Sequence, residues 1–398
     1  MIKKICLITP SHISSNPRLI KEAKALVSLN YAVHIIFAQT LNYLIIEDEK
    51  ILKNNPDLTY QIISNKNIFQ KTLLKTLGVI SKHIDKFYLI NYQVNYSCSL
   101  FLDCAIKFDA DIYIAHNLAA LPVAVNAAKI NKAKCGFDAE DFHRNELSND
   151  PSIHDVKIKT FIEDKYLKQL DYITAASPLI AKAYKNIYPK LKPVVINNVF
   201  ELIHQPPVNL NENEGLKLFW FSQTIGKNRG LEDVIEAINI INDAKIELHL
   251  LGNLSTEDLT YFNSLAKFPV NYYEPISGDD IFKFAAKFDI GLALEPGFCL
   301  NNEIALSNKL FTHLISGLAI IASNTQAQQQ FLEKNAFVGR LYPIANVAEL
   351  AKIIIQFLNN KDLLNDYKKN AYELAKSKYN WESESKKFLT VVEQTLAT

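Results

Sequence analysis

Short apolar runs, each bounded by polar or glycine-containing stretches, recur along the whole chain and alternate with segments of helical spacing. In the first half they are Ile5–Thr9, Ala32–Ala38, Leu58–Ile63, Asp109–Ala115, Ala133–Phe137, Tyr172–Ala176 and Val194–Asn197. Runs of this length without strict alternation predict parallel strands covered on both faces by helices. Asn16 as cap and Pro17 at the first helical position predict a helix whose buried stripe is Leu19, Ile20, Ala23, Leu26 and Val27. Ser177-Pro178 starts another helix, and residues 67–107 read as mostly helical. The alternation restarts with strand Leu216–Phe221, helix Leu231–Ile241, strand Ile246–Leu251, a Ser255-capped helix and strand Val270–Tyr273. It continues with strand Asp289–Leu294, a helix Asn308–Ile315 capped by Ser307 and closed by Gly317, and strand Leu318–Ala322. Helices fill the chain beyond Leu341, the last around Trp381 to Leu396. Pro206-Pro207 and the polar stretch Asn209–Gly215 make the best linker. The pattern predicts an α/β protein of two Rossmann-like parallel-sheet domains, 1–205 and 206–378, with 379–398 a helix returning to the first domain.

Bulk properties narrow the function classes. The 398 residues are 48% hydrophobic and 21% charged, as in ordinary soluble proteins, and the net charge of +1 favours neither nucleic acid nor membrane. Five cysteines lie far apart with no C-x-x-C, which predicts reduced thiols. The chain goes directly into a strand and holds no apolar run of membrane-spanning length, so the expectation is a cytoplasmic protein whose membrane contact is peripheral at most. The candidate for that contact is 66–86, where Lys66, Lys71, Lys75, Lys82 and Lys86 face one acid, Asp85. A basic amphipathic helix there fits an anionic bilayer, and equally fits an ordinary helix with solvated lysines.

In α/β units ligands gather at the carboxyl ends of strands, against the amino end of the next helix. After Asp289–Leu294 comes a loop with Glu295, Pro296, Gly297 and Glu303, and then the helix start Ser307-Asn308-Lys309. A cation at a helix start suits phosphate, and carboxylates beside it suit hydroxyl groups. The turn Ser222-Gln223-Thr224-Ile225-Gly226-Lys227-Asn228-Arg229-Gly230 repeats the theme after another strand. As a pair the two junctions point to a nucleoside diphosphate. In the first half His116 ends a strand, where it either faces a ligand or is structural. The knot Asp138 to Glu146, with Asp141, His143 and Arg144, fits either a crevice wall for an acceptor hydroxyl or a solvated loop. The Pro10–Asn16 turn, with Ser14, lacks G-x-G-x-x-G, so a dinucleotide is not expected.

These residues resemble those of the GT-B glycosyltransferases, especially the retaining family-4 type. The likeness is carried by S-x-N-P-R-x-x-K-E-A at Ser14 to Ala23, D-I-Y-I-A-H ending at His116, and V-V-I-N-N at Val194 to Asn198. It continues in R-G-L-E-D at Arg229 to Asp233 and S-N-K-L-F…G-L-A-I-I-A-S from Ser307. The resemblance implies two domains facing a cleft, the carboxyl domain holding a nucleoside diphosphate sugar and the amino domain a hydroxyl acceptor such as a glycan or lipid-linked envelope precursor. It implies catalytic roles for His116, Glu295, Arg229 and Lys309. Donor contacts would come from Ser222, Gln223, Thr224, Gly226, Lys227, Gly297, Phe298, Glu303, Ser307, Asn308 and Leu310. Acceptor contacts would come from Ser14, Asn16, Asp138, Asp141, His143 and Arg144. Neither metal nor further cofactor is expected, since no D-x-D-type pair faces the phosphates. The chain departs from the family at Gln223-Thr224, where Gly-Arg is usual, at Arg229 in place of lysine, and at Thr312 in place of a ribose-binding glutamate. A sugar-nucleotide epimerase of the same fold and a non-catalytic partner subunit are the rival readings.

Overall fold

The computed structural model describes residues 2–63, 76, 90–212, 214–276, 278 and 280–398. The chain divides into two compact units, residues 1–196 with 385–398, and residues 197–384. The basic stretch 66–86 lies, apart from Thr76, outside the described residues. Among the described residues no helix is long and apolar enough to cross a membrane.

The first unit is built on a seven-stranded sheet in the order β3-β2-β1-β4-β5-β6-β7. Its strands are β1 (Lys4–Ile8), β2 (Ala32–Ala38), β3 (Thr59–Ile63), β4 (Ile112–His116), β5 (Lys134–Ala139), β6 (Tyr172–Ala175) and β7 (Val194–Val195). Every pairing is parallel. The strand order reverses beside β1, which pairs with both β2 and β4, so the carboxyl ends of β1 and β4 border the switch point where open α/β sheets bind ligands. The first helix, Pro17–Ser28, starts as its cap signal predicts, with the Leu19 N–H donating to Asn16 Oδ1 at 3.0 Å.

The second unit holds a six-stranded sheet, β10-β9-β8-β11-β12-β13. Its strands are β8 (Leu216–Ile225), β9 (Ile246–Leu254), β10 (Val270–Tyr273), β11 (Ile290–Ala293), β12 (Ala319–Ser323) and β13 (Gly339–Tyr342). Both faces are buried, which is why its strands read as continuous apolar runs. Leu216, Leu218 and Trp220 of β8 enter one core, while Phe219 enters the other and stacks on Phe288 at 4.6 Å. The order reverses between β8 and β11, so the two junctions picked out in the sequence share one switch point.

Three expectations are corrected. Strands β8 and β9 run on to Ile225 and Leu254, across a register shift between Phe221 and Thr224, because Gly252 lets the backbone come close: a Cβ there would stand 2.4 Å from the Ser222 carbonyl oxygen. Ser222, Gln223 and Thr224 are therefore strand residues, and the turn starts at Gly226. Strand β13 is unannounced because Gly339-Arg340-Leu341-Tyr342 is a short edge strand with a charged residue inside. The polar linker stretch is tied down within the second unit at Asn209 and Asn211: the Asn211 N–H donates to Asn365 Oδ1, its carbonyl accepts from Asn365 Nδ2, and the Asn209 side chain donates to the Ala286 carbonyl. The chain passes between the units at Ile196/Asn197 and again at Glu384/Ser385.

Candidate functional site

In the second unit the site is assembled by β11 and the helix Asn308–Ile315. Gly291 has no Cβ, and one placed there would meet the His313 ring at 2.1 Å, so the helix packs tightly on the strand through that ring. One helical turn back on the same face is Lys309. Its Nζ consequently arrives at the end of β11, 2.8 Å from Glu295 Oε1 and 5.9 Å from the centroid of Trp220. Glu295 is fixed from three sides. Its N–H donates to Ser323 Oγ at 2.8 Å, its carbonyl accepts from the same hydroxyl at 2.8 Å, and Asn302 Nδ2 donates to Oε2 at 3.0 Å. Lys309 and Glu295 are 16% and 12% exposed, a pair reachable by a ligand yet partly stripped of water. At the helix start Ser307 holds the N-cap position, but its side chain makes no cap bond, and its Oγ is buried without a partner among the described residues. This corrects the expected side-chain cap and leaves a hydroxyl beside the positive end of the helix.

The other donor-side residues divide. Arg229 is exposed and donates to Ser222 Oγ at 2.9 Å, at the end of β8 beside the Glu295 loop; Gly230 next to it packs against Leu294. Phe298 is 62% exposed at the tip of that loop, Gly297 takes φ 67° to turn it, and Asn308 is exposed. Gly226 is half-buried near Arg229, and Gln223 and Thr224 are exposed. Three residues are corrected. Lys227 turns to the helix Thr256–Leu265, over the Tyr261 ring and 3.4 Å from Glu257. The Glu303 carboxylate takes the Gln326 N–H at the start of the helix Gln326–Lys334, where an acid offsets the dipole. Leu310 is fully buried in the core, so its side chain is withdrawn from any ligand. Thr312, at the position where the family carries a glutamate, is also buried.

In the first unit the structure corrects His116. It is fully buried, and both ring nitrogens face carboxylates: Nε2 lies 3.2 Å from Glu22, Nδ1 3.6 Å from Asp138 and 3.7 Å from Glu140. Burial opposes its charge, but Glu22, Glu140 and Asp138 outweigh burial and lift its pKa to about 10. His116 is thus a buried cation within its own unit, not a group presented to a sugar. Asp138 is corrected likewise. Its carboxylate accepts from Arg18 Nε and Nη2 at 2.5 and 2.8 Å and from the Thr174 hydroxyl at 2.6 Å, and Arg18 keeps it ionised. Arg144 forks to Glu163 and Asp164 and donates to Tyr188. Ser14 gives its N–H and hydroxyl to Asp48, at 2.9 and 2.7 Å, and Asn16 is consumed as a helix cap. Of the expected acceptor residues His143 lines a cavity, and Asp141 is half-buried close to it. Their ligand atoms and that of Glu146 lie within 4.8 Å of one another. Glu22, the partner that sequence reading missed, stands four residues after Arg18, where helical spacing puts both on one face.

The fold has close counterparts among solved structures. Sucrose-phosphate synthase from Thermosynechococcus elongatus superimposes with a TM-score of 0.75 at 14% identity, over 99% of both chains. Anabaena HepE in complex with UDP-glucose gives 0.70 at 13% identity, over 98% of this chain and 99% of that one. A TarM variant of S. aureus, in complex with Fondaparinux, alpha-GlcNAc-glycerol and UDP, gives 0.70 at 13%, over 98% and 99%. No curated protein matches in sequence. Residues 229–390, which include Arg229, Glu295 and Lys309, match the family described as glycosyl transferase-like. The chain has the two-domain GT-B fold of these structures. The matched region begins at the Arg229 turn and runs through the Lys309 helix, the two junctions of the β8/β11 switch point.

Proposed function

We propose that this chain transfers a sugar from a nucleoside diphosphate sugar to a hydroxyl acceptor, with the donor on the second unit and the acceptor on the first. The observation that carries this reading is the Lys309–Glu295 pair at the amino end of a helix, on the β8/β11 switch point, beside the unpartnered Ser307 hydroxyl. A diphosphate set there exchanges with Glu295 as the counter-ion of Lys309, Arg229 supplies a second cation from the end of β8, and the freed carboxylate accepts from sugar hydroxyls. In the transfer the bond from the anomeric carbon to the diphosphate oxygen breaks, its electron pair leaving with the diphosphate. The acceptor oxygen forms the new bond and releases its proton to the departing phosphate. Charge grows on the diphosphate as that bond breaks, so fixed cations there lower the barrier. Retention of configuration rests on the resemblance to the retaining family-4 type. The neutral overall charge and the free cysteines support a cytoplasmic setting.

HepE and TarM were both captured with UDP or UDP-glucose, so uridine diphosphate sugars head the panel for calorimetric titration, followed by guanosine and cytidine counterparts. Lys309→Ala should weaken the best ligand by about 10- to 100-fold, the value of one charge-assisted bond, without lowering the melting temperature. Unchanged affinity refutes the role of Lys309. Conversion of the nucleotide sugar without any acceptor would turn the reading to an epimerase.

A further inference from the structure

Behind the carboxyl ends of β4 and β5 the first unit holds a cavity of about 400 Å3, within the range of small-molecule sites, bordered by Gln93, Asn117, His143, Glu146, Asp155 and Lys159. Asn117 at its rim takes φ 72° and ψ 145°, a conformation ordinarily left to glycine, and strain of this kind gathers at ligand sites. His143 in its wall is 2% exposed. Its Nδ1 faces Glu146 at 3.3 Å, while Nε2 is buried with no partner among the described residues. Burial works against a charge on His143, but the bond to Glu146 and the carboxylates of Asp141 and Glu163 prevail and raise its pKa. A buried ring nitrogen left unbonded is costly, and a ligand hydroxyl, which can donate or accept, removes that cost.

The charged groups Glu146, Asp155 and Lys159 around the cavity are paired with one another. Glu146 lies 3.3 Å from His143 and 3.0 Å from Lys159, and Lys159 also lies 3.1 Å from Asp155. Lys159, held between two carboxylates, is no free cation for a phosphate or a uronate. Donors and acceptors set side by side instead match hydroxyl groups, each of which gives one hydrogen bond and takes another. We propose that this cavity seats an uncharged sugar or polyol, one of its hydroxyl groups hydrogen-bonding to His143 Nε2. The inference rests on the acceptor side of the proposed function and names the class of acceptor: a neutral polyhydroxyl terminus, selected over anionic ones.

The test uses the full chain labelled with 13C-histidine, titrated with methyl glucosides, galactosides and mannosides, and in parallel with glucuronate and glucose 6-phosphate. The His143 resonance is assigned by its loss in His143→Gln; should that variant not fold, Lys159→Met assigns it by its displacement. The expected result is saturable movement of the His143 line with at least one neutral glycoside, and affinity about tenfold or more weaker in His143→Gln. No movement with any neutral glycoside, or tighter binding of the anionic sugars, overturns the proposal. Nucleotide titration of the same sample reads the donor site separately, so failure here with nucleotide binding intact leaves the proposed function standing.

Discussion

Replacing Asp138 by alanine tests whether the first unit depends on its buried charge network. The change removes the acceptor of two Arg18 bonds, at 2.5 and 2.8 Å, and of the Thr174 hydroxyl. Arg18 is 1% exposed and would keep only Glu22, at 3.6 Å, and the Ile196 carbonyl, at 2.7 Å. Breaking one side of a buried pair costs about 3–5 kcal/mol, chiefly because the remaining charge stays out of water. Against a total stability of roughly 5–15 kcal/mol that is a large share. With a urea slope of about 2 kcal/mol/M the unfolding midpoint should fall by roughly 2 M. Asp138→Asn, which keeps the shape and one acceptor, should fall less. Pairing Asp138→Leu with Arg18→Met, which removes both charges, should recover part of the loss, with a coupling energy above about 1 kcal/mol in the double-mutant cycle. A loss below about 1 kcal/mol in Asp138→Ala, or additive single changes, would refute the claim that the pair supports the unit.

Glu295→Gln, which removes the carboxylate facing Lys309, should tighten binding of the nucleoside diphosphate itself while slowing sugar transfer; calorimetry and turnover read the two effects, and weaker diphosphate binding would count against the counter-ion exchange. His116 has its folded pKa raised from 6.5 to about 10, so its stabilising contribution is complete below pH 6.5 and fades as pH climbs towards 10. Melting temperature followed over that window should decline, and His116→Gln should flatten the decline; parallel profiles would argue against a buried imidazolium. Gly297→Ala places a Cβ 2.4 Å from Glu303 Oε1 at φ 67°, and should cost about 1–2 kcal/mol by combined strain and displacement of that carboxylate from its helix start, read by thermal unfolding.

The strand–helix alternation was legible because both faces of each sheet are covered, so nearly every strand announces itself as an apolar run. The seven strands of the first unit and five of the second lie where the runs stand; the edge strand β13, half polar, left no such trace. The Lys309 junction was legible from local order alone, since cap, helix and strand follow one another within thirty residues. Partnerships across long separations were not. His116 meets Glu22 and Asp138 meets Arg18 over 94 and 120 residues, and nothing in the local pattern of either tells a buried ion from one that greets a ligand. The knot from Asp138 to Glu146 shows the difference most sharply: Asp138 and Arg144 are spent on structure, while His143 keeps one nitrogen without a partner among the described residues.

The chain enters the second unit after Ile196 and leaves it before Ser385, and the Asn197 side chain and N–H both donate to the Glu384 carboxylate, at 2.8 and 3.2 Å. The two passages are thus stitched together by one amide and one acid. No single scission can release either half intact, because the first is completed by the last fourteen residues. A fusion partner appended after Thr398 would be carried by the amino-terminal body, and trimming the tail would injure the part of the molecule farthest from it in sequence.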